Sequence, residues 1–413
     1  MMPQDRHIRA SVLPTVLVVS ALLMLGVLGV VGLWEQDRDL FARLGYHRQQ
    51  RAHLESAFRL YEQAENLPSL LDADSSLVLY DSVPSSRVRY TVRPWGLYEA
   101  VSVESHDRRL HLSRLMGAAA ASGEEADFWY ADGRLALTLT GNSNLHGRVR
   151  VPQNGLAYNA MRSVFFAGER VPGHRIGRSE PGMPALHPGA RELLDRIWAL
   201  RGDTAQRVPI TDSVTASFYR HDPAILWIGS GRLQHCSLSG QVALCGDAVE
   251  IDSTCLVRDI LVVARTVRVG AGFRGRMQVV ASDSVVVGQR AVLEYPSGIV
   301  MRRGLPERCV EIGPRAEVSG YVIVDGDGEA DREKVNYRQV QTALVRGLLW
   351  VDGMAGWHGV VSGAVFLRRA VYNATEGYYT DLLHNATLLE NPVCGYPLWA
   401  AGPYERKEVG WLP

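Results

Sequence analysis

Gly270-Ala-Gly272-Phe-Arg-Gly275 has the glycine spacing of a dinucleotide-binding loop, in which a tight turn after a strand presents a pyrophosphate to the start of a helix. The thirteen residues that follow, RMQVVASDSVVVG, are rich in β-branched side chains and alternate, so they predict a strand. With no helix opening behind the glycines, the phosphate chemistry has no platform, and Gly270 and Gly272 read as corners between extended segments. Asp325, Asp327, Glu329 and Asp331 alternate as calcium ligands do, yet no glutamate occupies the twelfth loop position, so the segment reads as a solvated loop. His106 and His111 flank DRRL in a strand-like stretch, a spacing that places them on opposite faces.

The remaining chemistry-bearing residues do not assemble into a set. Five cysteines (Cys236, Cys245, Cys255, Cys309, Cys394) show neither a C-x-x-C pair nor zinc spacing and read as small buried apolar side chains. Asp247, Asp252, Asp259, Asp283 and Glu294 do not fall into one acidic column, as the carboxylate cluster of a polysaccharide-cleaving enzyme would. Walker, zincin and nucleophile-elbow motifs are absent, and the sequons at Asn373 and Asn385 matter only in a eukaryotic secretory pathway. The sequence therefore gives no catalytic residues, no metal ligands and no cofactor, and predicts a protein that is not an enzyme. Lys+Arg and Asp+Glu both total 44, without the basic stripe of a nucleic-acid binder.

Two elements must position whatever the chain does. The first is an uncharged run of 24 residues from Ala10 to Leu33, enough to span a bilayer, with Trp34 as an interfacial anchor. Arg6, His7 and Arg9 precede it while Glu35, Asp37 and Asp39 follow, which predicts a cytoplasmic N-terminus and an extracytoplasmic bulk. The run is longer than a signal peptide's apolar core and lacks a small-x-small end, so it predicts a retained anchor. Beyond it Leu40, Leu44, Leu54, Phe58 and Tyr61 form a helical stripe over 35–67, positioned to pack on the downstream chain or on neighbouring subunits.

The second element is a repeat. Val249, Val267 and Val285 recur at 18-residue spacing, as do Ile251, Val269 and Val287, and Cys255, Phe273 and Ala291. Ala243-Leu261-Val279 and Cys245-Val263-Ala281 make two further columns, and adding 25 carries the first two columns on to Val310 and Ile312. Residues two apart in a strand share a face, so the columns describe stacked coils with inward apolar ladders, a right-handed parallel β-helix over 225–370. The predicted organisation is mainly β: a basic leader (1–9), a transmembrane helix (10–34), an amphipathic helix (35–67), a mixed β region with a long loop and one helix (68–224), the β-helix, and a C-terminal segment (371–413). In that last segment Trp399, Tyr404 and Trp411 would form either a lid on the last coil or an aromatic docking arm.

The layout of basic leader, small residue, apolar span and amphipathic helix resembles type IV pilin-like and pseudopilin-like proteins, with Thr15 standing where that family carries a glutamate. The blocks GNSNLHGRVRVP and LLWVDGMAGWHGVVSGAVFL resemble segments of single-span bacterial proteins with such N-termini, and coils 225–370 are similar in architecture to bactofilins, which polymerise. These resemblances imply a structural or interaction role in the inner membrane of a bacterial envelope, with the bilayer and other envelope proteins or further copies of the chain as partners. The alternatives of other class are a carbohydrate-binding or carbohydrate-active β-helix and a self-polymerising scaffold.

Overall fold

The computed structural model describes residues 12–63, 74–81, 83–119, 126–159, 165–203, 207–208, 211–219, 222–326, 334–374, 377–390, 394–398 and 405–412. Ala10, Trp399, Tyr404, Asp327, Glu329 and Asp331 lie outside them. The chain is mainly β with one long N-terminal helix.

Helix α1 (Val12–Gln63) runs without interruption through the apolar span and the amphipathic segment, and it is long and apolar enough to cross a membrane. Along its first part the large apolar side chains are exposed, Leu33 and Trp34 among them, as are Leu40, Phe41 and Leu44. From Gln50 onward one face is buried, through Gln50, His53, Leu54, Ala57, Phe58 and Tyr61, the three- and four-residue spacing of a helix lying on a surface. So the stripe predicted over 35–67 divides, and only its C-terminal part packs on the rest of the chain.

That surface is an antiparallel sheet of strands β1 (Asp74–Val78), β2 (Arg87–Trp95), β3 (Tyr98–Ser105) and β4 (His111–Ala118), closed by the C-terminal strand Arg406–Leu412 alongside β4. Val88, Tyr90, Val92, Val101, Val103 and Met116 receive the helix. The opposite face, through Trp95, Tyr98, Ala100 and Leu115, packs on the remainder of the molecule. Because both faces are covered, every residue of β3 is buried, its polar Ser102 and Glu104 as well as Val101 and Val103. Gly96, at φ +61°, turns the β2–β3 hairpin where a Cβ would stand 2.8 Å from the Tyr321 hydroxyl. His106 and the DRRL residues form the β3–β4 turn rather than a strand, and His111 stacks on Tyr219 at 4.8 Å; opposite faces of one strand do not apply.

Most remaining strands are parallel and pair with the segment one repeat later. Val249 pairs with Val267, Val267 with Val285, Val285 with Val310, and Val310 with Tyr337. A second ladder runs Leu244, Val262, Val279, Ile299, Val322, Leu349, Val365, and a third Leu238, Val257, Gly275, Leu293, Val318, Val345, Val361. These side chains, with Gly275 the exception, fill a continuous apolar core together with Ile251, Val269, Phe273, Val287 and Ile312, all at most 5% exposed.

Two columns read from the sequence need correction. Ala243 and Leu261 pair with each other, but Leu261 then pairs with Gln278, because the register slips between Val257 and Ile260. Ala243, Cys245, Leu261 and Val263 therefore point out of the first core into a second one, shared with the antiparallel sheet, while Val279 and Ala281 point inward. The face of the stack that carries them is buried on both sides, so the runs VALC, LVVA and VVA give no alternation from which to choose a face.

The stack also reaches beyond 225–370. Its far end is formed by Phe128–Tyr130, Val149–Val151 and Ile176–Arg178, earlier in the chain, with Phe128 pairing in parallel with Val365 and Val149 with both Phe128 and Ile176. They share that end with Ala386–Leu389 of the C-terminal segment, which pairs in parallel with Gly359–Ser362, whereas the strand Arg406–Leu412, with Trp411, lies on the antiparallel sheet. Residues 179–203, including helix α2 (Ala190–Ala199), then run back along the stack as a strap. Trp129 Nε1 donates to the Gly182 carbonyl and Trp350 Nε1 to that of Pro184. Arg191 next pairs with Asp325, Asp195 with Arg302, and Arg201 with Asp247, each contact one or more coils nearer the start.

Candidate functional site

The largest uncovered apolar surface is α1 itself. Between its most apolar stretch and the sheet, Leu40, Phe41 and Leu44 are 56%, 71% and 46% exposed, an uncovered apolar patch. Glu35, Asp37 and Asp39 lie before it, and Arg43, Arg48 and Arg51 lie within or after it. The helix leaves this stretch at Tyr46, whose hydroxyl donates to Asp107 in the β3–β4 turn at 3.1 Å. Asp107 is held below the usual carboxylate range, chiefly by the Ser105 hydroxyl.

What fixes the helix is an ionic cluster around the buried Arg114 guanidinium. Arg114 of β4 pairs with Glu55 of α1 and, at 2.8 Å, with Glu408 of the C-terminal strand. Its guanidinium lies between the rings of Phe58 and Trp411, 4.5 and 4.3 Å from their centroids, where cation–π attraction adds to the ion pairs. Next to it Tyr61 donates to Glu99 at 2.6 Å, and Arg406 lies over the Tyr61 ring. Burial raises the Glu99 carboxyl, against the hydrogen bond from Tyr61 and the charge of Arg406. Trp411, half-exposed, is thus an element of this clamp, with one face of its ring on Arg114.

The carboxylates considered for carbohydrate chemistry are engaged elsewhere. Asp252 pairs with Arg232, Asp259 with Arg276, Asp283 with Arg265 and Glu294 with Arg274, each pair bridging adjacent coils, and Asp247 holds the strap through Arg201. Asp325, the first residue of the acidic loop, is buried and accepts hydrogen bonds from Nε and Nη2 of Arg191, one on each oxygen, so both oxygens already have cationic partners. A surface cavity of about 460 Å³ is lined by Asp132, Arg134, Arg368 and Arg369, but Arg368 pairs with Asp352 and Arg369 with Asp381. Among the described residues no group of three His, Cys, Asp or Glu side chains is arranged to hold a metal.

No protein-family model, no curated protein and no solved structure matches this chain. The functional reading rests on geometry and sequence alone.

Sequence reasoning singled out Leu33, Trp34 and Trp411 and the ladder valines, and the structure places the first two on the free helix and the ladders in the core. It missed Arg114, Glu55 and Glu408, which lie far apart in the chain and meet only when the C-terminal strand joins β4. The one local signal was an arginine interrupting the strand-like run HLSRLMGA.

Proposed function

We propose that the protein is a single-pass structural subunit of a bacterial cell-envelope assembly, pilus-like or pseudopilus-like, with its N-terminus cytoplasmic and the bulk of its chain outside the inner membrane. The observation that carries this reading is the division of α1. One stretch is apolar and wholly free, a second is partly apolar and free in water, and the last is clamped on an antiparallel sheet. An apolar span needs a bilayer, and an exposed stripe immediately beyond it needs neighbouring helices. The sheet-mounted end turns the helix into a rigid lever between membrane and body. In this reading the parallel stack is a right-handed β-helix that serves as spacer or contact surface. The apolar ladders at near-constant register support it, and the handedness is that of nearly all parallel crossover connections.

The test is a photo-crosslinking residue placed at Phe41 or Leu44 of the full-length protein in its own cells. Adducts with other single-span proteins carrying an apolar helix are expected. Adducts with the same chain alone would move the reading to a self-polymerising scaffold, and crosslinks to glycan or lipid only would overturn the assembly role.

A further inference from the structure

The corner column that carries Phe273 and Ala291 begins with two cysteines. Cys236 stands directly opposite Cys255 in the next coil: Ser237 pairs with Leu256, and the Leu256 amide donates to the Cys236 carbonyl at 2.8 Å. In-register neighbours of adjacent parallel strands stand about 4.8 Å apart, within the Cα separation that a disulfide spans. The two Sγ atoms are 3.2 Å apart, inside the sum of two sulfur radii, and both side chains are buried, at 6% and 2% exposure. Cys245 faces the second core, and the Cys309 sulfur lies on the Val310 carbonyl.

We propose that Cys236 and Cys255 form a disulfide that staples the first coils of the stack when the chain folds in the presence of a disulfide oxidant. The Cys236 thiolate, the more accessible of the two, attacks the oxidant's S–S bond, giving a mixed disulfide and releasing one oxidant thiolate. The Cys255 thiolate then attacks Cys236 Sγ and displaces the second oxidant thiolate. A Cys236–Cys255 bond forms, the oxidant takes up two electrons, and the two thiol protons pass to its released sulfurs. Burial pushes the Cys236 thiol up, as does the sulfur beside it, so in the closed coil its attack on an oxidant is slow. Oxidation therefore belongs to folding, before the corner is covered, and the finished bond is shielded from reductants. The inference does not depend on the proposed envelope role, because the oxidant can be supplied in the tube.

The experiment uses the full-length protein in detergent, equilibrated with oxidised and reduced glutathione at a denaturant concentration that opens the coils transiently. It is then denatured, alkylated without reductant and mapped by mass. One linked peptide pair containing Cys236 and Cys255 is expected, about 2 Da lighter than the sum of its reduced parts, with Cys245, Cys309 and Cys394 alkylated. Adding reductant should then lower the unfolding midpoint of the native protein but leave that of Cys236→Ser unmoved. Alkylation of both thiols in excess oxidised glutathione, or a bond from either to a different cysteine, overturns the proposal. Mapping the protein taken directly from its own membrane adds the compartment: a linked pair there places the coil in an oxidising space.

Discussion

Asp259 is a carboxylate whose environment works against its charge. It sits in the left-handed backbone region at φ +61°, buried at the bulge where the register slips, and its carbonyl accepts the Trp95 indole N–H at 2.9 Å. Burial raises its pKa from 3.8 to about 6, although Arg276 and Arg258 pull the other way. Between those two values the folded state keeps a proton that the unfolded chain has released, so stability falls as pH rises through this window. Glu99, also raised by burial, contributes a slope of the same sign. Asparagine tolerates the left-handed conformation and carries no charge, so Asp259→Asn should reduce the loss of stability between about pH 4 and 6. Denaturant midpoints of the two proteins at the ends of the window would decide it, and equal slopes would place the titrating group elsewhere.

At the scale of elements, Arg114 makes α1 and the C-terminal strand a single unit. Arg114→Met keeps much of the packing against Phe58 and Trp411 but leaves Glu55 and Glu408 facing each other without a cation. Both carboxylates are about one-third exposed, which reduces the penalty of an unpaired charge to about 1–3 kcal/mol. The expected signature is faster hydrogen exchange in residues 50–61 and 406–412 together, by a similar factor. Acceleration in only one of the two would show that they are held separately. Elements of this kind were differently legible in the sequence. The ladder through Val249, Val267 and Val285 could be read because one side of its strands is solvated, which preserves alternation. The face holding Ala243 and Leu261 could not, since a run buried on both sides is equally apolar in either register. The clamp was illegible for another reason: its three charges belong to an element at each end of the chain and one between, and local sequence carries no record of which distant strand will arrive.

For the whole molecule, the long apolar helix and the folding of the body are separable. The body holds α1 from Gln50 onward, together with the Tyr46 contact to the β3–β4 turn, and the large apolar side chains of the described residues before that are exposed. Removing residues 1–44 should therefore give a soluble protein whose near-ultraviolet circular dichroism and unfolding midpoint match those of the full chain in detergent. A truncated protein without fixed tertiary signals would show that the body depends on the span. The outer surface of the stack fits this independence, since its charges are satisfied coil to coil by pairs such as Arg265–Asp283 and Arg274–Glu294.

The strap gives the order of chain segments a consequence in time. Phe128–Tyr130, Val149–Val151 and Ile176–Arg178 form the far end of the stack, but the strand they lie on, through Val365, is among the last to be made. A chain that emerges N-terminus first must carry these apolar segments without their Val365 partner while the coils from 222 onward are laid down toward them, one on another. Closure then comes from both sides at once, as Val365 meets Phe128 and the final strand meets Arg114. Until its last residues arrive, the protein is an open-ended stack with its own lid waiting, and that interval is when a chaperone or an assembly partner has access to surfaces the finished molecule never shows.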